Sequence, residues 1–201
     1  MRKGDGTLYL DKIPKNIKYI FATNTNYYHP IIKFLPMGSD FRSISSFKKG
    51  DINNKERNIL CYCNFSLDTN KSRINIFNYI KNKSFITIEN MGTFLKYSIS
   101  RDTFFARLGH SKYTICPRGN AADTFRLYDS IYAGAIPIVV REQFHNLKIF
   151  ANIPILFLNN ENDFKNLTQE FLEKKYLEFM PKLKNYYETL DFHWMVRAIG
   201  I

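Results

Sequence analysis

The chain has 201 residues, 45% hydrophobic and 16% aromatic, a composition that excludes a disordered chain and leaves room for one well-buried core rather than a large two-domain enzyme. Its 29 Lys and Arg against 18 Asp and Glu give a net charge of +11, a field that draws in phosphates, anionic glycans, nucleic acid or acidic membrane surfaces without choosing among them. No stretch has the succession of a secretory signal and no apolar run approaches the roughly 18 residues of a membrane span, so a soluble, cytoplasmic protein is expected, with membrane contact, if any, of the peripheral kind.

Residues 1–55 are irregular. Short apolar runs at Ile17 to Phe21 and Ile31 to Leu35, interrupted by Pro14, Pro30 and Pro36, fit short strands joined by loops. This segment is expected to be a lead-in to, or a remnant of, a second domain, followed by one α/β domain over residues 56–201. From Arg57 the pattern alternates. Ile59 to Phe65 reads as a strand, Lys71 to Lys81 as a helix with Ile74, Phe77 and Ile80 at helical spacing, and Phe85 to Ile88 as a strand. Arg101 to Gly109 reads as a helix stopped by its glycine, and Lys112 to Cys116 as a strand stopped by Pro117. A helix over Asp123 to Tyr132, strands at Ile136 to Val140 and Ile155 to Leu158, and one or two helices over Asp163 to Leu190, broken near Pro181, complete the series.

Parallel strands need a crossover and the intervening helix supplies it, so the series predicts a Rossmann-like parallel sheet with helices on both faces. In such sheets ligands bind outside the carboxyl ends of the strands. The loops beginning at Asn64, Pro117 and Arg141 are therefore the candidate site.

Cys61 and Cys63, one residue apart on a strand, share a face and read as small core residues. The two-to-four-residue spacing of a metal knuckle is absent, and with Cys116 the odd count fits a reducing compartment.

The densest constellation is CPRGNAADTFRLYDSIYAGAIP, residues 116–137. A strand ends at Cys116, Pro117 and Gly119 force a tight loop with Asn120, and Asp123 or Thr124 is placed to cap the next helix. The free N–H groups and positive dipole end of that helix favour an anion, and Arg118 and Arg126 can add forked hydrogen bonds to phosphate oxygens, an arrangement suited to a diphosphate. Asp129, three residues after Arg126, shares its helix face and could accept from a ribose or sugar hydroxyl pair. Arg and Asp at this spacing also make ordinary surface ion pairs worth about 0.2–0.5 kcal/mol, and it is the strand, proline, glycine and cap in this order that argue for more.

The stretch SKYTICPRGNAADTFRLYDSIYAGAIPIVV resembles the signature of the exostosin-family glycosyltransferases, in particular a bacterial and viral branch in which an Asp-Thr pair precedes the helix arginine. ATNTNYYHPIIKFLPMG, residues 22–38, is similar to the segment that enters the family's nucleotide-binding domain, and NILCYCNFSLDTNKSR, residues 58–73, to its first strand and loop. The resemblance implies the donor-binding half of a GT-B enzyme, with Asn64, Ser66, Asn70 and Arg73 facing the donor alongside Arg118, Gly119, Asn120, Asp123, Thr124, Arg126 and Asp129. It also implies transfer from a nucleoside diphosphate sugar to a glycan or glycoconjugate without a cofactor, the acceptor half being largely absent before residue 20. Several positions depart from the family pattern: Asp129 stands where Glu is usual, shortening the reach by one methylene, Ala135 where Cys is frequent, and Phe125 and the Ala121–Ala122 pair where a His and a Gly are usual.

No two aspartates stand one residue apart, so no paired-aspartate metal site is expected, and the leaving diphosphate falls to arginines and backbone dipoles. Asp68 and Asp123, with Glu89 and His29, are the candidates for a base, and spacing does not rank them. The charge also allows a nucleic-acid module, but the basic residues are scattered and no nucleic-acid motif appears, so no nucleic acid is expected as partner. A donor-binding domain without turnover is the other alternative.

Overall fold

The structure is a computed structural model that describes residues 13–24, 29–39, 56–89, 99–144, 150 and 153–189, the side chains of 184–189 excepted. The segment around Trp194 lies outside the described residues, as does His145. Two parallel strands, β1 (Ile20–Ala22) and β2 (Ile32–Phe34), pair with each other in register Ile20 to Ile32. The main sheet contains β3 (Ile59–Cys63), β4 (Ile86–Ile88), β5 (Ser111–Ile115), β6 (Ile136–Val140) and β7 (Leu156–Leu158), all parallel, in the order β4-β3-β5-β6-β7. Helices α1 (Lys71–Ile80), α2 (Arg101–Gly109) and α3 (Phe125–Tyr132) make the crossovers, and α4 (Gln169–Thr189) follows a 3-10 turn at Glu161–Asn166.

The chain steps from β3 outward to β4, returns across β3 to β5, and then moves the other way through β6 to β7. With right-handed crossovers, α1 must lie on one face and α2 and α3 on the other. The packing agrees, since α1 lies against the 3-10 turn and α2 against α3. Strand order therefore reverses between β3 and β5, and the helices after these strands diverge to opposite faces, the position at which sheets of this kind bind ligands at the carboxyl ends of their strands.

Strand alternation divides the core. Cys61, Cys63, Tyr113 and Ile115 face one way with Ile76, Ile80 and Leu172, while Tyr62 faces the other with Phe105, Leu108 and Ala133. Full burial of an Ile, Leu or Phe side chain contributes about 1.5–3 kcal/mol, so these layers carry most of the fold's stability. All three cysteines are free and buried, and burial pushes the Cys116 thiol up to about 12. Tyr113 donates to the Leu172 carbonyl at 2.9 Å, pinning α4 to the sheet. At the amino end of the sheet Arg57 donates to the carbonyls of Gly109, Ser111 and Ala133 and seals it.

Three local expectations differ from the structure. On α1 the buried face carries Ser72, Arg73, Ile76 and Ile80, and Ile74 is exposed, because the Arg73 guanidinium has a role in the loops described below. Pro181 does not break α4, which runs through it. Both Pro181 and Leu177, whose carbonyl loses its helical donor, are exposed, so water can take the bond. Residues 161–166 are 3-10 rather than α, ended by Leu167 before Thr168 caps α4 through Phe171 N–H at 3.2 Å.

Candidate functional site

Two loops meet at the strand-order reversal. The first, Asn64 to Asn70, leaves β3 and enters α1; the second, Cys116 to Thr124, leaves β5 and enters α3. Asn70 is the N-cap of α1, accepting from Ser72 N–H at 3.0 Å, while its side-chain nitrogen donates to the Gly119 carbonyl at 3.0 Å. One capping residue thus fixes a helix start and ties it to the neighbouring loop.

Arg73 adds to this tie. Its Nε donates to the Arg118 carbonyl at 2.8 Å, Nη1 to the Ser66 carbonyl at 2.9 Å and the Ser66 hydroxyl at 3.3 Å, and Nη2 to the Pro117 carbonyl at 3.5 Å. Its plane lies over the Phe65 ring, 5.6 Å from the centroid. A Cβ on Gly119 would sit 3.1 Å from Nη2, which accounts for glycine there. Burial, and next the nearby Arg126, lowers the Arg73 pKa to about 10, against a favourable contribution from exposed Asp68.

Arg126 stands in the first turn of α3. Its Nη2 donates to Asn64 Oδ1 at 3.4 Å, and the guanidinium lies 5.0 Å from the centroid of the Phe104 ring. Asn64 in turn donates to the Glu89 carbonyl at 3.0 Å, so the end of β4 orients Asn64 and Asn64 orients Arg126. The Glu89 carboxylate pairs with Arg107 at 2.8 Å and accepts from the Tyr62 hydroxyl at 3.1 Å. Burial and then Glu89 raise the Tyr62 pKa. Arg126 Nη1, Arg118 Nε and Thr124 Oγ1 are buried and have no hydrogen-bond partner among the described residues. Nor does a salt bridge to a described carboxylate engage Arg73, Arg118 or Arg126.

Thr124 occupies the N-cap position of α3 but makes no side-chain cap bond, and Asp123 does not cap either. The Asp123 carboxylate instead accepts from Met37 N–H at 2.7 Å and lies beside the Tyr128 hydroxyl, while its backbone N–H and carbonyl bond the Asn24 side chain at 2.8 and 3.2 Å. Burial raises its pKa to about 6, opposed by the Met37 bond. Asn24 has φ 50°, the left-handed conformation that Asn tolerates well. Asp129 accepts from the Ser39 hydroxyl. Both aspartates therefore hold the segment that carries β1 and β2 against the start of α3.

The structure brings Asn64, Ser66, Arg73, Arg118, Gly119, Thr124 and Arg126 to one sheet edge. Asn120 and Asp68 are exposed beside them, and Asp123 and Asp129 face the N-terminal segment. The loop at Arg141 is set apart: its guanidinium covers the Phe157 ring at 5.1 Å. His29 accepts from Ile31 N–H at the amino end of β2, the end of that parallel pair away from Asn24. Sequence reasoning missed Asn24, Met37 and Ser39 as partners of the aspartates, and Phe104 and Arg107 beside Arg126 and Glu89. An Asn in a polar turn was the single available signal. Among the described residues no three His, Cys, Asp or Glu side chains group to hold a metal ion, and no helix is long and apolar enough to cross a membrane.

Residues 17–146, more than half of the chain, match the model of the exostosin GT47 domain. The chain belongs to the exostosin family. The match begins just before β1 and ends just past β6, so it takes in both loops of the candidate site and the segment that the two aspartates hold. No curated protein matches the chain. Membership makes this a glycosyltransferase-family domain, and the Rossmann-like parallel sheet agrees with it.

Proposed function

We propose that the chain binds the diphosphate of a nucleoside diphosphate sugar at the carboxyl ends of β3 and β5, as the donor-binding half of a GT-B enzyme of the bacterial and viral branch, and transfers the sugar to a glycan or glycoconjugate hydroxyl. The observation that carries this is electrostatic: Arg118 and Arg126 reach a strand-order reversal with buried N–H groups that no described protein atom accepts, and no described carboxylate neutralises them. A dianionic group fits that deficit, and Thr124 Oγ1 and the Phe125 and Arg126 amides at the start of α3 add donors, the Leu127 amide being bonded to the Thr124 carbonyl.

Charge developing on the leaving diphosphate would be met by fixed guanidinium and amide dipoles, without a metal held by paired aspartates, which the sequence lacks. The nucleoside hydroxyls are assigned to the Ser39 and Asp129 pair, one turn along α3 from Arg126. Asn64 and Ser66 line the facing loop. Among the candidate bases, Asp123 is bonded to Met37 and Glu89 to Arg107 and Tyr62, and Asp68 is exposed at this edge. Residues 1–55 are assigned as a remnant of, or lead-in to, the acceptor-side domain and 56–201 as the donor domain, in a cytoplasmic protein.

Calorimetric titration with a panel of nucleoside diphosphates tests the reading, with one of them expected to bind in the micromolar to millimolar range. A release assay for the nucleotide from its sugar, with and without glycan acceptors, separates a working transferase from a domain that only binds. Absence of binding to every nucleotide, together with salt-dependent binding to DNA or RNA, would overturn it.

A further inference from the structure

We propose that Arg73 is a positioning residue for the diphosphate site, acting by pulling the carbonyl oxygens of the turn after β5 to the side away from the ligand. The inference rests on the donor reading above and assigns Arg73 a role other than ligand contact.

Three successive carbonyls, those of Pro117, Arg118 and Gly119, point toward the start of α1, the first two accepting from Arg73 and the third from Asn70. No cis peptide bond occurs, and in a trans peptide the carbonyl of one residue is antiparallel to the N–H of the next. The N–H groups of Arg118, Gly119 and Asn120 therefore face away from Arg73. Gly119 N–H turns in to the Ala121 carbonyl at 2.9 Å, which leaves the amides of Arg118 and Asn120 on the outer side. These two amides flank the Gly119 N–H, whose partner is the Ala121 carbonyl, and give two donors for an anion on that side of the turn.

An unrestrained turn of this kind can rotate a carbonyl toward the ligand, where its partial negative charge repels phosphate. The guanidinium is suited to prevent that because its planar fork reaches both loops at once. With Nε and Nη1 both committed, and Nη2 against Pro117 and the bare α-carbon of Gly119, Arg73 has no fork left for a phosphate. Its burial beside Arg126 also keeps positive charge in the wall of the site, which a bound anion would offset.

Inorganic pyrophosphate is the probe, since it needs no knowledge of the base or sugar. Wild-type chain and Arg73→Lys are compared by calorimetry and by amide NMR. Lysine keeps the charge but cannot span the four acceptors in the two loops, so its pyrophosphate affinity is expected to fall at least tenfold. In wild type the added pyrophosphate is expected to shift the Arg118 and Asn120 amide signals and the Arg126 signal. In Arg73→Lys the first two responses are lost and the Arg126 response stays, which a general loss of structure would not produce. Should Arg73→Lys not fold, Asn70→Ala removes the tie to Gly119 alone among the three carbonyls, with about a threefold loss expected. Pyrophosphate affinity and amide shifts equal to wild type in the variant that folds would overturn the inference and leave the donor reading standing. A wild-type chain that binds neither pyrophosphate nor any nucleoside diphosphate would overturn both.

Discussion

Replacing Arg126 by alanine removes a charged group whose protein contacts are weak and whose proposed ligand contacts are strong, so its effects on folding and on binding should separate. In the free protein Arg126 makes one long hydrogen bond to Asn64 at 3.4 Å and lies 5.0 Å from the centroid of the Phe104 ring. The ring contact of a partly exposed cation is worth about 0.5–1 kcal/mol. Against this, Arg126 disfavours the charged state of its neighbour Arg73, and that repulsion ends with the substitution. The net change in stability should stay within about 1 kcal/mol, or roughly 2–4 °C in melting temperature for a chain of this size. With a bound diphosphate the same group would give charge-assisted hydrogen bonds of about 1.5–3 kcal/mol, so losing one weakens binding roughly ten- to a hundredfold. Calorimetry with the best nucleoside diphosphate, alongside a melting curve, gives both numbers. An Arg126→Ala chain that binds the nucleotide within twofold of wild type would refute the reasoning.

Two further perturbations test the supports of the site. Asp123 is raised to about 6 by burial, so the folded state holds its proton more tightly than the unfolded chain. That contribution to stability is fully present below about pH 4 and is lost as pH rises through 6, a difference on the order of 2–3 kcal/mol. Asp123→Asn cannot ionise, and its melting temperature relative to wild type should rise between pH 4 and pH 7.5, whereas a gap that does not change with pH would contradict the assignment. Tyr113→Phe removes the second hydrogen bond to the Leu172 carbonyl, which keeps its helical donor within α4, and should cost about 0.5–1.5 kcal/mol in urea denaturation, with no effect on nucleotide affinity.

The order of strands and helices was legible because buried parallel strands read as apolar runs and their crossovers as helical periods. The sheet edge was legible too, because Pro117 and Gly119 mark a turn after a strand and Arg126 follows at the start of a helix. What could not be read was which side chains serve the protein itself. Arg73 resembles a donor contact in sequence, yet its guanidinium is spent on carbonyls 44 and 45 residues away. Asp123 satisfies every local rule for an N-cap, and a backbone N–H 86 residues earlier takes its carboxylate instead. Asp129 meets Ser39 across 90 residues in the same manner. Periodicity on α1 pointed to Ile74 for want of any local sign that Arg73 would be buried, and Pro181 was read as a break because its solvent-facing position depends on how α4 docks.

The donor reading requires a diphosphate to sit where the strand order reverses between β3 and β5. A crystal structure of the chain with its tightest-binding nucleoside diphosphate tests it most directly. Diphosphate oxygens are expected within hydrogen-bonding reach of Arg118, Arg126 and the outward amides of the turn after Cys116. A nucleotide bound elsewhere, with those arginines untouched, would contradict it.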